Sequence, residues 1–180
     1  MENNFSDIHE GAQFGNNVSL GKFNIIRNNV IVGDNVQIGN FCVIHENVTI
    51  GDDTVVKDYV ELRSETYIGK KSYIDSRVSS SGNCKIGNNV TIRYDSIMAR
   101  GVEVGDGSYI CPRVMTNNLN TEKDQIGGAK FGKDCFIGTN AVIQHGLNIG
   151  EKVIIGAMSF VNKDCVDGGV YVGMPARKIR

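Results

Sequence analysis

Histidine and cysteine most often carry acid–base, nucleophilic or metal chemistry near neutral pH, and this chain has three of the first and five of the second. The histidines, His9, His45 and His145, lack the spacing of a ligand set, and no two cysteines form a Cys-x-x-Cys pair. The sequence therefore predicts a protein without a bound metal. His145 is a candidate general base, because an imidazole can take the proton of an attacking hydroxyl group.

A period of six residues identifies the elements that must position such side chains. Counted in sixes from Ile8 to Ile110, large apolar residues fill 17 of 18 positions, and Ser80 is the exception. The period resumes from Phe131 to Val161, where it fills six of six positions. A hexapeptide period is typical of a parallel β-helix, in which short strands stack on the next coil.

A second inward position and the glycines define the cross-section of this helix. Four residues after each large apolar residue stands a small or β-branched one, with Asn24 and Leu147 as the clear departures. Glycine often follows the large residue, as at Gly15 and Gly21, where we expect a sharp corner to need its backbone freedom. These glycines fall in two hexads of every three, so three consecutive hexads make one coil. The sequence predicts an all-β triangular solenoid of about eight coils of three hexapeptides, with one extruded loop.

The interruption of the period divides the chain into five segments. We expect a lead-in over 1–7, coils over 8–115, an insertion over 116–130, further coils over 131–166 and a tail over 167–180. The 15 inserted residues must complete one six-residue face to keep the phase, so nine of them leave the prism as a loop. A loop that breaks a regular solenoid commonly forms a binding face.

Composition excludes several classes of partner. The net charge is −1, so nothing suggests attraction to nucleic acid or to an anionic membrane. The polar N-terminus is no signal peptide, and no apolar run approaches the length of a membrane span. Cys111 falls at a corner, and the other cysteines fall in the small inward position, where reduced buried thiols indicate a cytoplasmic protein: Cys42, Cys84, Cys135 and Cys165.

Over essentially the whole chain this pattern resembles the left-handed β-helix hexapeptide-repeat acyltransferases. The left hand comes from the resemblance, because parallel crossovers are normally right-handed. The resemblance implies a left-handed parallel β-helix, a homotrimer, and acetyl-CoA bound as co-substrate in a cleft between neighbouring prisms, near an extruded loop.

The C-terminal third, "FIGTNAVIQHGLNIGEKVIIGAMSFVNKDC" and then "VYVGMPARKIR", is similar to the cofactor-binding end of that family. Phosphates favour cationic donors, and a slender amide-bearing arm favours small residues and exposed backbone. The resemblance implies that backbone groups of Thr139 and Ala157 contact the pantetheine arm. It also implies polar contacts to the cofactor from Asn162 and Lys163, and charged contacts to its phosphates from Arg177 and Arg180.

The insertion departs from part of the family. Galactoside- and maltose-type O-acetyltransferases carry a histidine in the segment that corresponds to 116–121, which here reads "TNNLNT". An alcohol needs a base during attack on the thioester whereas a neutral amine does not, so an amine acceptor is favoured. "PRVMTNN" is similar to the V-x-T-N stretch of nucleotide-sugar N-acetyltransferases, which implies Asn117 at the active site and Asn118 and Asn120 on sugar hydroxyls. Turn chemistry is the alternative explanation of these asparagines.

Two further positions are candidates beside the loop. Arg93 and Tyr94 interrupt a regular hexad one coil before it, and could bind a nucleotide diphosphate or simply form an exposed corner. His145 stands where the family usually has proline, and its coil adjoins the loop, so it could reach the cleft as a base.

The sequence favours an acetyl-CoA-dependent N-acetyltransferase acting on a nucleotide-linked amino-deoxysugar. The alternative is an O-acetyltransferase acting on a sugar or polysaccharide precursor, with His145 as base. A lipid A-type acyltransferase would carry a C-terminal helical domain and a serine acetyltransferase an N-terminal one, so both are less expected. The loop and the "GMPARKIR" tail argue against a purely structural β-helix subunit.

Overall fold

Two-residue strands form the three faces of a triangular prism in the computed structural model, which describes residues 5–180. Each coil gives one strand to each face, and each strand of the regular coils pairs in parallel with the strands one coil before and one coil after it. The predicted all-β solenoid is confirmed. None of these residues forms a helix that could cross a bilayer.

The strands of each face follow in chain order. Face A holds nine: Asp7–Ile8, Ile25–Ile26, Val43–Ile44, Glu61–Leu62, Ser79–Ser80, Ile97–Met98, Met115–Thr116, Val142–Ile143 and Phe160–Val161. Face B holds eight: Gln13–Phe14, Ile31–Val32, Thr49–Ile50, Tyr67–Ile68, Lys85–Ile86, Glu103–Val104, Lys130–Phe131 and Asn148–Ile149. Face C holds ten: Ser19–Leu20, Gln37–Ile38, Val55–Val56, Tyr73–Ile74, Thr91–Ile92, Tyr109–Ile110, Phe136–Ile137, Ile154–Ile155, Val170–Val172 and Arg177–Lys178.

Two of the three departures from the inward pattern, Ser80 and Asn24, are polar residues with satisfied hydrogen bonds. Ser80 is buried, and its Oγ lies 2.8 Å from Thr66 Oγ1 and accepts the Arg63 N–H at 3.1 Å. Asn24 is buried too, where its amide donates to Gly39 O at 2.9 Å and accepts the Cys42 N–H at 2.8 Å. A buried polar group with its partners in place costs little, so both fit the prism without breaking it.

Close contact between coils, not the backbone freedom expected from the sequence, accounts for the corner glycines. Gly21 and Gly69 do not have a positive φ; instead, a β-carbon placed on them would lie 2.5 Å from Gly39 O and from Gly87 O of the next coil. The positive φ falls two residues later, as at Asn17 (56°), in a conformation that asparagine tolerates. The coils therefore stack too closely at these corners for a side chain.

The prism has nine coils, one more than the expected eight or so. Cys165 makes a parallel bridge to Ile149, and Val170–Val172 pairs in parallel with Ile154–Ile155. Arg177–Lys178 then turns back antiparallel on Val170–Val172 as a hairpin at the end of the prism. Part of the segment expected to be a tail thus belongs to the last coil.

The insertion leaves the prism for nine residues. Asn117 N–H donates to Ile143 O at 3.1 Å, as Gln144 N–H does to Val161 O at 3.0 Å, so Asn117 still keeps the regular register. Gly127 O accepts the Gly146 N–H at 3.0 Å, which puts the chain back in register at Gly127. The extruded arm is therefore 118–126, in agreement with the count from the sequence.

A column of aromatic rings runs along the N-terminal coils. Phe5, Phe23, Phe41 and Tyr59 each stand one coil after the last, with ring centroids 5.5, 5.0 and 5.1 Å from one another. All four have positive φ, which is unfavourable for a bulky residue. Ring-on-ring stacking between coils offsets this cost.

Adjacent residues of one strand test the inward–outward register. Ile86 is 1% exposed, whereas Lys85 points outward. We expect Ile86→Asn to lower the free energy of unfolding by more than about 3 kcal/mol, because it leaves a cavity and a buried amide. Lys85→Asn should change it by less than about 0.5 kcal/mol. Denaturant unfolding of both variants measures this, and equal losses would contradict the register.

Candidate active site

Four predicted site residues gather along one edge of the prism, here called edge AB, which is the corner between faces A and B. Thr116, Ile143 and Val161 pair with one another across three consecutive coils. The residues that follow them, Asn117, Gln144 and Asn162, therefore occupy equivalent places. Successive coils lie about 4.8 Å apart, so Asn117 and Asn162 are roughly 10 Å apart along this edge.

His145 and Lys163, which follow Gln144 and Asn162 in the chain, also occupy equivalent places on edge AB. Gly127, where the arm rejoins the coil, takes the equivalent place one coil before His145. His145 is half-buried and Lys163 is exposed. The arm packs against the residue that follows His145: a β-carbon on Gly146 would lie 2.7 Å from Ile126 Cγ2. An imidazole, an amide and an ammonium thus share one edge at the foot of the arm.

Hydrogen bonds hold the arm as a short hairpin. Asn118 O accepts the N–H groups of Ile126 at 3.0 Å and Gly127 at 3.2 Å, and Leu119 bridges Gln125 antiparallel. The side-chain amide of Asn120 accepts the Asp124 N–H at 2.8 Å and donates to Asp124 Oδ2 at 3.0 Å. Turn chemistry therefore accounts for Asn120, while the side chains of Asn117 and Asn118 make no hydrogen bond within residues 5–180.

Four other predicted residues lie on a different edge, here called edge CA, between faces C and A. The face C register places Tyr94, Thr139 and Ala157 in equivalent positions, with Arg93 just before Tyr94. Arg93 donates to Asp75 Oδ2 at 2.9 Å and to Tyr109 Oη at 3.0 Å. These two partners raise the pKa of Arg93 above its usual range, Tyr109 more than Asp75. Face A separates this edge from edge AB, so one chain does not unite all twelve predicted residues.

Tyr94 and Thr139 on edge CA are themselves in contact with neighbours. The Arg113 guanidinium lies 5.9 Å from the centre of the Tyr94 ring, as in a cation–π pair. Thr139 O accepts the Met158 N–H at 2.8 Å, so its carbonyl belongs to the ladder between coils. Ala157 is exposed. Arg93 and Tyr94 are both half-buried at this corner, and both side chains have partners there.

A pocket of about 200 Å³ opens beneath the C-terminal hairpin at the end of edge AB. Lys163, Arg177 and Lys178 line it, together with Asn162, whose Oδ1 is buried and has no hydrogen-bond partner within residues 5–180. Such an oxygen accepts a proton from an N–H or O–H group of a ligand at little cost. Three cations against one carboxylate, that of Asp164, leave the lining with a net positive charge that suits phosphate groups.

The three tail cations do not all lie at this pocket. Lys178 lines the pocket although sequence reasoning missed it, and Arg180 does not line it. The Arg180 carbonyl accepts the Val170 N–H at 2.9 Å instead. "ARKIR" presents three cations, and only the antiparallel pairing of Arg177–Lys178 with Val170–Val172 decides which of them face the pocket.

The cysteines near these edges are not activated nucleophiles. Cys165 lines the pocket, and burial raises the pKa of its thiol to about 11. Burial also raises the pKa of Cys111, although the Thr139 hydroxyl opposes the shift. A thiolate, not a thiol, is the nucleophile, so the chemistry of both edges belongs to amide, imidazole and cationic groups.

Comparison with known proteins identifies the family. The model described as "Bacterial transferase hexapeptide (six repeats)" matches 11–46, 29–64 and 128–163, which together make up half of the 180 residues. The chain belongs to this hexapeptide-repeat family. The predicted family and the left-handed β-helix class are thereby confirmed.

Individual relatives and solved structures differ in how much of this hexapeptide-repeat chain they cover. Galactoside O-acetyltransferase of Escherichia coli (strain K12) is 29% identical over 126 residues, which are 63% of this chain and 62% of that protein. A structure titled UDP-N-acetylglucosamine acyltransferase has a TM-score of 0.85 at 16% identity, over 97% of this chain and 71% of that one. An acetyltransferase of Vibrio cholerae O1 biovar eltor complexed with acetyl coenzyme A has a TM-score of 0.54 at 24% identity, over 64% and 70%. The chain spans between 26% and 62% of the length of the curated relatives it matches.

The thiols provide a test of the packing around both edges. All five cysteines are buried and free, and every one has its pKa raised by burial. A raised pKa leaves less thiolate near neutral pH, so we expect almost no reaction of the native chain with an aromatic disulfide reagent. Unfolding in guanidinium should release all five. Fast reaction of the folded protein would show that the corners are open.

Proposed function

We propose that this chain is an acetyl-CoA-dependent acetyltransferase that acylates the amino group of a nucleotide-linked amino-deoxysugar, as a homotrimer in the cytoplasm. One observation carries the proposal. Asn117 and His145 lie on the same edge as a cationic pocket, two coils and one coil before it. The pocket contains a buried acceptor, Asn162 Oδ1, that has no hydrogen-bond partner within residues 5–180. The five free cysteines accord with a reducing compartment.

The pocket residues fit one part of acetyl-CoA, which supplies the acetyl group as a thioester. Lys163, Arg177 and Lys178 would hold its phosphates, and Asn162 Oδ1 would accept an amide N–H of its pantetheine arm. The Vibrio cholerae acetyltransferase structure is a complex with acetyl coenzyme A. A pocket of about 200 Å³ takes only part of so long a molecule, which leaves the remainder to run along edge AB towards Asn117.

A trimer would bring the two edges together. Thr139 and Ala157 on edge CA are separated from Asn117 by face A of the same chain, so both edges border one cleft only if two copies supply them. Closed three-fold symmetry would give three equal clefts. The outward side chains of the last coils of face A are apolar, as expected for a covered face: Ile97, Met115, Val142 and Phe160.

Positioning would supply most of the rate in the amine reaction. The amine nitrogen forms a bond to the thioester carbon while the carbon–sulfur bond breaks, and the amine proton passes to the departing thiolate or to water. Asn117 would orient the amine or the carbonyl, because its side-chain amide has no other partner within residues 5–180. Holding reacting groups in line is worth several kcal/mol of the barrier.

The O-acetyltransferase alternative rests on His145. It lies at the foot of the arm, one coil from Gly127, and a hydroxyl acceptor would need it as base. The likeness to galactoside O-acetyltransferase adds weight to this alternative.

A thiol-release assay with acetyl-CoA tests the proposal across a panel of amino-sugar nucleotides and their hydroxyl counterparts. The buried thiols of the chain should not contribute to the signal. We expect turnover with an amine. His145→Asn should then reduce turnover modestly and Asn117→Ala more, because misplaced groups react slowly.

The same assay and variants also test the O-acetyltransferase alternative. If His145→Asn costs on the order of 10²–10⁴ in rate and only hydroxyl acceptors react, the chain is an O-acetyltransferase. His9→Asn, at the opposite end of edge AB, serves as the control. Thiol release with no member of the panel would contradict both functions.

Equilibrium binding of coenzyme A tests the pocket. Loss of a charged contact costs about 1.5–3 kcal/mol when desolvated, and less at an exposed site. We expect Lys163→Ala and Arg177→Ala each to raise the Kd for CoA by roughly tenfold, and Lys133→Ala, on another corner, to leave it unchanged. Arg180→Ala reports whether this residue also reaches the cofactor. An unchanged Kd in the Lys163 and Arg177 variants would contradict the site.

A further inference from the structure

Arg100 stands on edge AB in the same place as His145, two coils earlier. Gly101 N–H donates to Gly82 O at 3.2 Å, just as Gly146 N–H donates to Gly127 O at 3.0 Å. The place common to these coils therefore holds, in order, Gly82, Arg100, Gly127 and His145. Two coil spacings separate Arg100 from His145, which is roughly 10 Å along the edge.

Glycines on both sides leave space around this arginine. A β-carbon on Gly82 would lie 3.2 Å from Arg100 Nη2, so the guanidinium rests over a position without a side chain. On the other side, a β-carbon on Gly127 would have no heavy atom within 4 Å. The place between Arg100 and His145 on edge AB therefore carries no side chain.

The guanidinium of Arg100 has no partner within residues 5–180, and the residue is exposed. The other arginines along the body of the prism each lie within 4 Å of a carboxylate: Arg27, Arg63, Arg77, Arg93 and Arg113. A free guanidinium presents a planar fork of N–H donors, which matches carboxylate and phosphate oxygens. Arg100 is thus prepared for an anion that the chain itself does not supply.

The order of residues along edge AB gives this anion a role. Lys163 and the cationic pocket lie on the C-terminal side of His145, and Arg100 lies on its N-terminal side. If the phosphates of acetyl-CoA occupy the pocket and its thioester points towards Asn117 and His145, the acceptor must approach from the side of Arg100.

We propose that Arg100 binds an anionic group of the acceptor, which makes the substrate class an amino sugar that also carries a negative charge. This inference rests on the proposed function. The shared chemistry is a pair of anionic oxygens, and two sources supply it: the diphosphate of a nucleotide-linked sugar, or the carboxylate of an acidic sugar.

Steady-state kinetics with matched acceptors tests the role. The acceptors are a UDP-linked amino sugar, an amino sugar with a carboxylate, and the neutral amino sugar. Arg100→Ala should raise KM at least tenfold for the anionic acceptor that is used, and leave the KM for acetyl-CoA and the rate with the neutral sugar unchanged. Arg100→Lys should recover part of the loss. Lys85→Ala, an exposed cation on face B, is the control.

Two results would overturn the role of Arg100. One is an equal loss for anionic and neutral acceptors, and the other is a KM increase for acetyl-CoA. Because Arg100 is exposed and unpaired, the variant should keep the wild-type melting temperature, so a loss of fold would not be mistaken for a loss of binding.

Calorimetric titration separates this inference from the proposed function, in case no acceptor reacts. UDP and glucuronate are the probes, each titrated into wild type, Arg100→Ala and Arg177→Ala. A tenfold loss of affinity for one probe in Arg100→Ala alone supports the anion site even without turnover. Binding that only Arg177→Ala weakens, or no binding of either probe to wild type, overturns it.

Discussion

The stacking of one coil on the next is the constraint on which the rest of this protein depends. Corner N–H groups donate to carbonyl groups of the following coil throughout the prism, as from Gly15 to Val32 O at 2.8 Å. This ladder converts a sequence separation of one full coil into a distance of about 4.8 Å. Asn117 and Gln144 are neighbours because they share a place in the ladder, although the arm lies between them in the chain. An inserted segment is tolerated only if the ladder resumes in register, which Gly127 achieves.

The faces of the prism follow from the sequence because burial leaves a strong signal there. A large inward residue every sixth position and a small one four residues later specify strands, period and cross-section almost alone. The corners are less readable. Gly21 and Gly69 signal a corner, but the reason is the close approach of Gly39 O and Gly87 O, which depends on a residue of the next coil. The aromatic column from Phe5 to Tyr59 has a signal of the same kind, a period of one coil, visible only once the coil length is known.

The shared edge of several candidate site residues can be deduced from the sequence for the same reason. Asn117, His145, Asn162 and Lys163 do share edge AB, which the coil length makes deducible. The position of Lys178 at the pocket is not readable from the sequence, because the hairpin that orients it is antiparallel and outside the hexad period. The amide of Asn120 is engaged with Asp124 inside the arm, a local contact that residue types alone do not reveal. The role inferred for Arg100 cannot be read from its residue type. It depends on Gly82 and Gly127, which are neighbours of Arg100 only because adjacent coils stack.

The side chains that are free to bind a ligand or take part in a reaction therefore lie at the edges of the prism. The interior is filled by apolar side chains and by hydroxyl or thiol groups that are already bonded, as Thr54 Oγ1 is to Gly69 O at 2.9 Å. Each edge, in contrast, carries variable side chains in every coil at nearly constant spacing, so the direction of the chain also orders the functional groups. On edge AB that order is a free guanidinium, the extruded arm, an imidazole and a cationic pocket. A ligand long enough to reach from the pocket to the arm must then meet its reaction partner from the side of Arg100, since the pocket already holds the other end.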